Sequence, residues 1–434
     1  YQKIATFNHN FERKDYAAAK SYLENNKKLA SKKNTAVLYD LNLATVAHLT
    51  GDYNQSIQLF NQADNYYQSH TKNIGLEAVA LLANPNVTPY KLENFEPVML
   101  HFFQALNYIA VDNYEEAIVE CRRMNEVLNA LSDKFKILNN AKHYSQDAFG
   151  HYLMGILYET VGDANNAFIA YRNALNIYQG DYSAMYKIPA PTELKYSLVR
   201  AARATGFTTE ANQYEKELEI SAQLPPESSG RMGAFILDGF APVKDQVDLT
   251  FTRIGNSDGL FSFQTEYDGA NLLIPYIPDK DGDDDPVNII HMSLPKYVSR
   301  RSECDAERPV VLVDKEMQMA AVAEDIEAIA RQSLHDRIWA EVGKSLLRVI
   351  AKQAASKAVT NKNDILGAIF EIGSAIAERA DTRHWQSLPG RIMVVDRYLS
   401  PGSHTIEYTS CGYKSTATVE VRAGKTSFVV IPNY

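Results

Sequence analysis

Cysteine is scarce in this chain: the 434 residues include three, Cys121, Cys304 and Cys411. Three are too few for a disulfide-rich scaffold, and no paired CxxC or Cys/His spacing marks a zinc site. Metal binding through sulfur is therefore not expected, and we predict no metal site and no cofactor for the chain. Cys121 falls at a helix-core position. Cys304 and Cys411 both fall in the second half, where two alternatives stay open: a disulfide in an oxidising compartment, or two separate buried thiols.

Concentrated positive charge and long apolar runs are also missing. The net charge is -9 with no basic block, so the electrostatic footprint of a nucleic-acid-binding protein is absent. The most apolar window, residues 365–377, contains Glu371 and is shorter than the roughly 18 to 20 residues that a membrane-spanning helix needs. It is typical of a core helix. No targeting segment is visible at Tyr1, so we expect that any such segment has been removed or was not included.

Enzymatic signatures are lacking as well. The sequence has no HExxH, Walker A or GxGxxG motif, and its ten histidines lie apart. His101 and His151 occupy equivalent positions in two repeat units, where packing is the simpler explanation. A hydrolase whose Asp, His and Ser come from distant parts of the chain stays open as a third functional alternative.

What the first half does contain is an internal repeat. "TGDYNQSIQLFNQA", "VDNYEEAIVECRRM" and "VGDANNAFIAYRNA" align, and two weaker copies flank them. A small residue follows each turn by five positions, which lets two helices approach closely. These small residues are Ala19, Ser56, Ala117, Ala167 and Ala211. The pattern resembles the tetratricopeptide repeat (TPR), a helix hairpin of about 34 residues.

The spacing of the units is longer than this family's ideal. The largest excess lies in residues 80–101, where Asn-Pro and Thr-Pro interrupt the helical pattern and predict an ordered loop. We predict a TPR-like helical repeat domain over residues 1–222. A concave groove between such hairpins suits an extended peptide or a partner's helix.

After a Pro- and Ser-rich passage at 222–233 the hydrophobic period changes from 3.6 to 2. About ten short strands predict a β-sandwich-like domain over residues 223–434. A helical insertion interrupts it at about 315–380, with an apolar stripe that either covers the sheet or is reserved for a partner or a lipid surface. The predicted fold class is therefore α+β multidomain, with helical repeats first and a sandwich-like domain after them.

Longer segments carry a wider resemblance. "NPNVTPYKLENFEPVMLHFFQALNYIAVDNYEEAIVECRR", "YLMGILYETVGDANNAFIAYRNAL", "AEDIEAIARQSL" and "ADTRHWQSLPGRIMVVDRYLSPGSHTIEY" resemble, in order, a family of functionally uncharacterised bacterial envelope proteins with a TPR-like N-terminal half. The similarity runs from about Asn8 to Val430, and "PYKLENFEPVMLH" and "DTRHWQSLP" are its most specific parts.

This resemblance implies a lipoprotein that faces the periplasm. We expect it to lie in the outer membrane and to be linked to envelope or cell-wall assembly. The family's usual form carries a lipidated cysteine just upstream of the first helix, and its gene often lies beside that of a lipoprotein activator of a penicillin-binding protein. No such cysteine precedes Tyr1, so membrane association through an N-terminal lipid anchor absent from this sequence is an assumption. The family has no known reaction, and no catalytic residue is carried over.

We predict that the protein is a non-enzymatic scaffold whose TPR-like groove binds another protein of unknown identity. The candidate groove or rim residues come from the interrupted loop and the third repeat unit: Tyr90, Glu93, Phe95, Glu96, His101, Tyr108, Arg122 and Arg123. The alternative for the same segment is that it caps an apolar gap between repeats. A second functional alternative is a peptidoglycan or polysaccharide binding module, because tyrosine is abundant, with 26 residues.

The acidic loop "DKDGDDD", residues 279–285, resembles a calcium loop only in its first positions. Asp279, Asp281 and Asp283 fill positions one, three and five of an EF-hand. Asp284 then stands where the turn glycine is required, and Ile290 stands where the bidentate glutamate is required. The flanks are predicted strands, so we interpret the loop as a solvated hairpin tip, and calcium binding by residues 279–285 stays open as the alternative.

Overall fold

The fold is taken from a computed structural model. It describes residues 4–29, 32, 34–71, 88–137, 144, 146–255, 261–267, 270–276, 289–301, 309–338, 342 and 380–434. Within these ranges no helix combines the length and the hydropathy that a membrane span requires. The acidic loop 279–285 and Cys304 lie outside the described residues.

The first half is a series of five antiparallel helix hairpins, one for each predicted repeat unit. The first helices of the hairpins are α1 (Ala5–Glu12), α3 (Ala36–Leu49), α5 (Glu96–Ala110), α7 (Ala148–Thr160) and α10 (Thr192–Ala204). Their second helices are α2 (Tyr16–Asn25), α4 (Tyr53–Thr71), α6 (Tyr114–Ile137), α8 (Ala164–Gln179) and α11 (Thr208–Glu217). A short helix, α9 (Asp181–Tyr186), follows α8. The TPR-like N-terminal half is thereby confirmed.

The same turn joins the two helices of every hairpin. One residue in each turn has a positive φ, and these residues are Lys14, Gly51, Asp112, Gly162 and Gly206. The next N–H then reaches back five positions, as Asp163 N does to Tyr158 O at 2.8 Å. Such a bond satisfies carbonyls that the end of the first helix would otherwise leave unpaired. This geometry explains why glycine recurs at the turns in the sequence.

Small residues allow the two helices of a hairpin to pack closely. All five predicted small positions are fully buried. Gly155 on α7 shows how tight the fit is, because a Cβ there would lie 2.3 Å from Cε1 of Tyr171 on α8. The crossing of these two helices therefore tolerates glycine alone.

The second half contains three four-stranded sheets. Sheet A has the order β12 (Thr426–Asn433), β1 (Gly230–Phe240), β9 (Pro389–Leu399) and β8 (Ala321–Asp325). Sheet C has the order β11 (Tyr413–Val421), β10 (Gly402–Ser410), β6 (Val310–Val313) and β7 (Glu316–Gln318). Sheet B has the order β4 (Ala270–Tyr276), β3 (Phe261–Tyr267), β2 (Val243–Gly255) and β5 (Ile289–Val298). β1 pairs parallel to β12 and antiparallel to β9.

Sheet A is the middle layer of the molecule. One of its faces packs on sheet C, with Ile236 of β1 and Tyr408 of β10 in the same apolar core. Its other face packs on the first helices of the hairpins, where Phe149 of α7 meets Phe235 of β1 at a ring distance of 6.1 Å. Strand β1 is therefore buried on both faces, which accounts for its continuous apolar run.

The boundaries differ from the predicted ones in two ways. The strands β7 and β8 occupy residues 316–318 and 321–325, so the helical insertion begins at 326 and not at about 315. Its described helix, α12, covers residues 326–338. One apolar core also runs from Phe7 in α1 to Tyr434 at the end of the chain. Residue 222 thus marks a change of secondary structure, while the helices and sheet A share a core.

Candidate functional site

Four of the predicted groove residues lie together in the interior at the start of α5. Tyr90, Glu93, Phe95 and Glu96 are at most 4% exposed. The C-terminal half covers them, because α5 lies between α6 on one side and the second half of the chain on the other. This corrects the expectation that these four residues line an accessible groove or its rim.

The other four predicted residues, His101, Tyr108, Arg122 and Arg123, lie where α5, α6 and α7 meet. His101 is buried with Nδ1 2.7 Å from Oε2 of Glu120, and Arg123 donates to Oε1 of the same carboxylate at 2.9 Å. Tyr108 is half-buried, and Arg122 is exposed and donates to the Tyr158 hydroxyl. Three of these four therefore reach the surface, whereas His101 belongs to the interior, as its repeat position suggested.

Residues 380–388, just ahead of β9, fill the inner face of the hairpin array. The Trp385 ring packs between Phe60 and Phe103, with centroid distances of 5.7 and 5.8 Å. Its Nε1–H donates to Oγ1 of Thr45 on α3 at 3.1 Å. The next contact is the backbone N–H of Ser387, which donates to Asn42. Trp385 therefore packs against the helices.

Arg383 fastens the same segment at its other end. Its Nη1 donates to the carbonyl oxygens of Asn34 and Thr88 at 2.6 and 2.8 Å. Its Nη2 pairs with Asp381 at 2.7 Å. Burial would raise the pKa of Asp381, but the contacts with Arg383 outweigh burial and lower the pKa. The guanidinium also lies 5.3 Å from the Tyr90 ring centre. Residues 380–388 thus bind the array through both polar and aromatic contacts.

Residues 380–388, the start of α5, β2 and α12 meet at a junction. Glu93 is the charged residue at its centre. It is 3% exposed and pairs with Lys244 of β2 at 2.5 Å and with Arg337 of α12. Burial would raise the pKa of Glu93, but the two cations outweigh it and lower the pKa to about 2. Three separate elements, the start of α5, sheet B and α12, are held together at this carboxylate.

The pKa of Glu96, three residues later at the start of α5, is shifted in the opposite direction. Burial and then the Glu93 charge raise its pKa to about 7. Its oxygens accept from the Tyr90 hydroxyl, the Glu93 backbone N–H and the Trp385 backbone N–H, each at 2.8 Å. Glu96 therefore ties the loop before α5 to residues 380–388.

A second ionic lock joins the array to sheet A. Arg231 on β1 is 2% exposed and donates two hydrogen bonds to Asp396 on β9, at 2.7 and 2.6 Å. It also pairs with Glu159 of α7, and the Tyr171 hydroxyl donates to that carboxylate at 2.6 Å. Burial would raise the pKa of Asp396, but Arg231 outweighs it and keeps the pKa low.

A cavity of about 540 Å³ near the junction is lined by residues of β2, β5 and α12. Its Arg331 is occupied by Glu327 and the Tyr297 carbonyl, and its Ser299 donates to Glu327 at 2.9 Å. No histidine lines this cavity. Within the described residues, a hydroxyl group contacts a histidine ring at Ser69–His70 and at Thr250–His291, and both contacts are exposed.

Half of the tyrosines whose burial the structure describes lie in the interior. Twelve of the described tyrosines are buried, and the one tyrosine of the described ranges that counts as exposed is Tyr413, at 64%. Several of the hydroxyls bond to interior acceptors, as Tyr152 does to Asp396 at 2.9 Å. The abundance of tyrosine therefore reflects a polar, hydrogen-bonded core.

Several residues that build the junction had no role in the sequence-based prediction. Lys244, Arg337, Arg231 and Asp396 are the main ones. A signal exists for Asp396 in retrospect, since it stands inside the apolar run "RIMVVDRYL", and a charged residue on a buried strand needs a buried partner. Nothing local in the sequence identifies that partner.

The structure shows the state of two of the three cysteines. Cys121 is a buried free thiol, and burial raises its pKa. Cys411, in the turn between β10 and β11, is disulfide-bonded. Because Cys304 lies outside the described residues, its pairing with Cys411 stays a prediction. Among the described side chains no set of three or more His, Cys, Asp or Glu is placed to hold a metal ion.

Comparison with known proteins gives a likeness for the helical half. No protein-family model and no curated protein matches the sequence. Among solved structures, MamA is 17% identical over 49% of this chain and 92% of its own, with a TM-score of 0.31. RapI in its apo form is 17% identical over 49% of this chain and 51% of its own, with a TM-score of 0.35.

A third solved structure, a putative kinesin light chain with TPR-like repeats from Podosopora anserina, is 15% identical over 50% of this chain and 92% of its own. Its TM-score is 0.31. The present chain spans about half the length of RapI. With identities and scores this low, the TPR-like description of this chain stands on its own hairpins and turns.

Proposed function

We propose that this protein is a non-enzymatic scaffold of the bacterial cell envelope that binds another protein through the outward faces of its second helices. The observation that carries the proposal is the occupation of the inner face of the hairpin array by residues 380–388 and sheet A. A repeat protein that takes a peptide into its inner groove needs that face open. In this chain the accessible helical surface is the opposite one.

The outward surface is continuous and mostly polar. Its exposed side chains include Asn61, Asn65, Glu126, Asn129, Asn165, Ile169 and Asn176. Amide side chains both donate and accept hydrogen bonds, so they suit a protein–protein interface when a rigid fold holds them in place. The Glu93 and Arg231 locks supply that rigidity, because they fix the hairpins to the sheets.

The envelope location is supported by two independent features. The resemblance described above is to envelope lipoproteins, and an N-terminal lipid anchor upstream of this sequence is part of the proposal. The disulfide at Cys411 fits an oxidising compartment such as the periplasm. An outer-membrane lipoprotein that takes part in envelope or cell-wall assembly is the specific form we propose.

The two other functional hypotheses have less support. Binding to peptidoglycan or polysaccharide rested on the abundance of tyrosine, and twelve of the described tyrosines are buried. Co-sedimentation with purified sacculi tests this hypothesis directly. A hydrolase needs a pocket in which a nucleophile meets a histidine, and the cavity at β2 and β5 has no histidine.

Photo-crosslinking in living cells tests the proposed docking surface. A photoreactive amino acid is introduced at Asn65, Glu126 or Asn176 on the outward face, and at Tyr413 on the sheet side as a matched exposed control. We expect one and the same partner protein to be crosslinked from the three helical positions and not from Tyr413. Adducts from Tyr413 alone, or none from the three helical positions, would contradict the proposal.

A further inference from the structure

The connection between the first two hairpins carries the densest positive charge of the chain. We name residues 26–35, between α2 and α3, the lysine loop. Residues 25–39 include four lysines, at positions 27, 28, 32 and 33, and no aspartate or glutamate. Four lysines are fewer than the roughly five or six like charges of a basic block, but they form a local exception in a chain whose net charge is -9.

The charge of the lysine loop is accessible. Its described lysines, Lys27, Lys28 and Lys32, are all exposed. Within the described ranges neither Lys27 nor Lys32 takes part in an ion pair. The last acidic residue before the loop, Glu24, already lies 3.9 Å from Lys20 in an ion pair. The loop therefore presents positive charge to the solvent that no neighbouring carboxylate neutralises.

Arg383 holds the lysine loop beside the segment that precedes α5. Its Nη1 donates to the carbonyl oxygens of Asn34 and Thr88 at 2.6 and 2.8 Å. Two carbonyls that share one nitrogen atom make the two backbone segments direct neighbours. Lys91, which is also exposed, stands three residues after Thr88, and Asp381 in this region is paired with Arg383. The lysine loop is thus fixed in place, and the segment beside it adds a further cation.

The position of the lysine loop in the array is defined by the first hairpin. α1 and α2 run antiparallel, so the start of α1 at Ala5 and the end of α2 at Asn25 lie at the same end of the hairpin. The turns lie at the opposite end, and four of the five contain an aspartate: Asp15, Asp52, Asp112 and Asp163. Lysines therefore mark the end at which α1 begins, and aspartates mark the end with the turns.

We propose that the lysine loop is a contact surface for a bilayer of anionic phospholipids. Each lysine close to such a surface contributes about fivefold in affinity, and this attraction needs no pocket because it acts through the surface potential. The choice of a bilayer over another polyanion rests on the envelope location proposed above, since a lipid anchor upstream of Tyr1 would insert at the same end of the array. The contact orients the chain with the lysine loop toward the membrane and the turns away from it.

This orientation leaves the outward faces of the second helices accessible to a protein partner. The helices run from one end of each hairpin to the other, so their outward faces stand to the side of the bilayer. Vesicle binding and photo-crosslinking also test the two proposals separately. The crosslinking positions Asn65, Glu126 and Asn176 lie on the second helices and not in the lysine loop.

Co-sedimentation with lipid vesicles tests the membrane contact. The intact chain is mixed with phosphatidylcholine vesicles that contain about one third phosphatidylglycerol, or with vesicles of phosphatidylcholine alone. At about 20 mM salt we expect the partitioning to the anionic vesicles to be at least about tenfold stronger. At about 500 mM salt the difference should disappear, because charges are then screened within a few ångströms.

Variants with matched charge locate the surface. The triple variant Lys27→Gln, Lys28→Gln and Lys32→Gln should lose most of the preference for anionic vesicles, and arginine at the same three positions should retain it. The control changes the net charge equally by replacing three exposed lysines of the sheets with glutamine: Lys315, Lys414 and Lys425. We expect the control to bind like the wild type.

Three results would overturn the proposal. They are equal partitioning of the wild type to the two kinds of vesicle, equal losses in the two glutamine variants, and binding to duplex DNA that is as strong as binding to anionic vesicles at the same salt concentration. The last result would identify a general polyanion surface in place of a membrane contact.

Discussion

The backbone N–H of Trp385 donates a 2.8 Å hydrogen bond to the buried carboxyl group of Glu96, although 289 positions separate the two residues. Through this contact a segment without regular secondary structure is docked on the first helix of the third hairpin. The helices and sheet A share one core. The molecule is better described as a hairpin array closed by its own C-terminal half than as two independent domains.

Trp385→Ala should cost about 3–5 kcal/mol of unfolding free energy, because it removes a large ring from between Phe60 and Phe103 and leaves a cavity. Denaturant unfolding measures the loss. The control is Tyr413→Ala, at an exposed position, which should change the stability by no more than about 0.5 kcal/mol. Similar costs for the two variants would show that residues 380–388 are not docked.

Glu96 should make the stability depend on pH. Its pKa in the folded state is about 7, above the ordinary value of 4.5, so the folded protein binds the proton more tightly than the unfolded chain. This contribution is complete below pH 4.5 and is lost as the pH rises through 7. The loss amounts to at most about 3 kcal/mol.

Comparison with Glu96→Gln isolates this effect from the other titrating groups. The difference in unfolding free energy between wild type and variant should shift against the wild type as the pH increases from 4.5 to 7. Denaturant titrations at closely spaced pH values provide the measurement. A difference that stays constant over this range would mean that Glu96 titrates normally.

Removal of one partner of the Arg231–Asp396 pair should be more harmful than removal of both. Arg231→Met leaves Asp396 as an uncompensated buried charge, and we expect a loss of about 3–5 kcal/mol. The double variant with Asp396→Leu should recover part of that loss, because no charge is left unpaired. A double-mutant cycle on unfolding free energies checks this, and strictly additive losses would argue against the lock.

Alanine substitutions at Gly155 in α7 and at Gly162 in the following turn separate two causes of lost stability, a steric clash and backbone strain. Gly155→Ala places a methyl group 2.3 Å from the Tyr171 ring, and the forced shift of that ring should cost about 1–3 kcal/mol or more. Gly162→Ala has open space around it but a φ of +82°, so its cost should be about 1–2 kcal/mol from backbone strain. The first variant should also weaken the Tyr171 hydrogen bond to Glu159. Equal losses in Tm would contradict the close crossing of α7 and α8.

The hairpins could be predicted from sequence because their determinants are local. Gly51, Gly162 and Gly206 mark the turns, and the small residues five positions later mark the helix contacts. The strands were likewise visible from their period of two. The short strands β7 and β8 were missed because they directly precede a strongly helical pattern that extends to residue 338.

The junction could not be predicted because its contacts are long-range. Residues 90–96 carried a recognisable motif, and an open groove was a reasonable expectation for a helical repeat. Whether such a face stays open depends on which distant segment packs on it, and the partners of Glu93 are supplied by β2 and α12. A buried ion pair leaves no periodic trace in either of the segments that it joins.

Native-state hydrogen exchange of residues 384–388 tests the central claim most directly. The backbone N–H groups of Trp385 and Ser387 lie outside any helix or strand and are protected only by their bonds to Glu96 and Asn42. If the C-terminal half closes the inner face of the array, these two amides should exchange as slowly as those in the middle of β1, through global unfolding. Exchange as fast as in an exposed loop would show that the inner face is open, and would contradict the account.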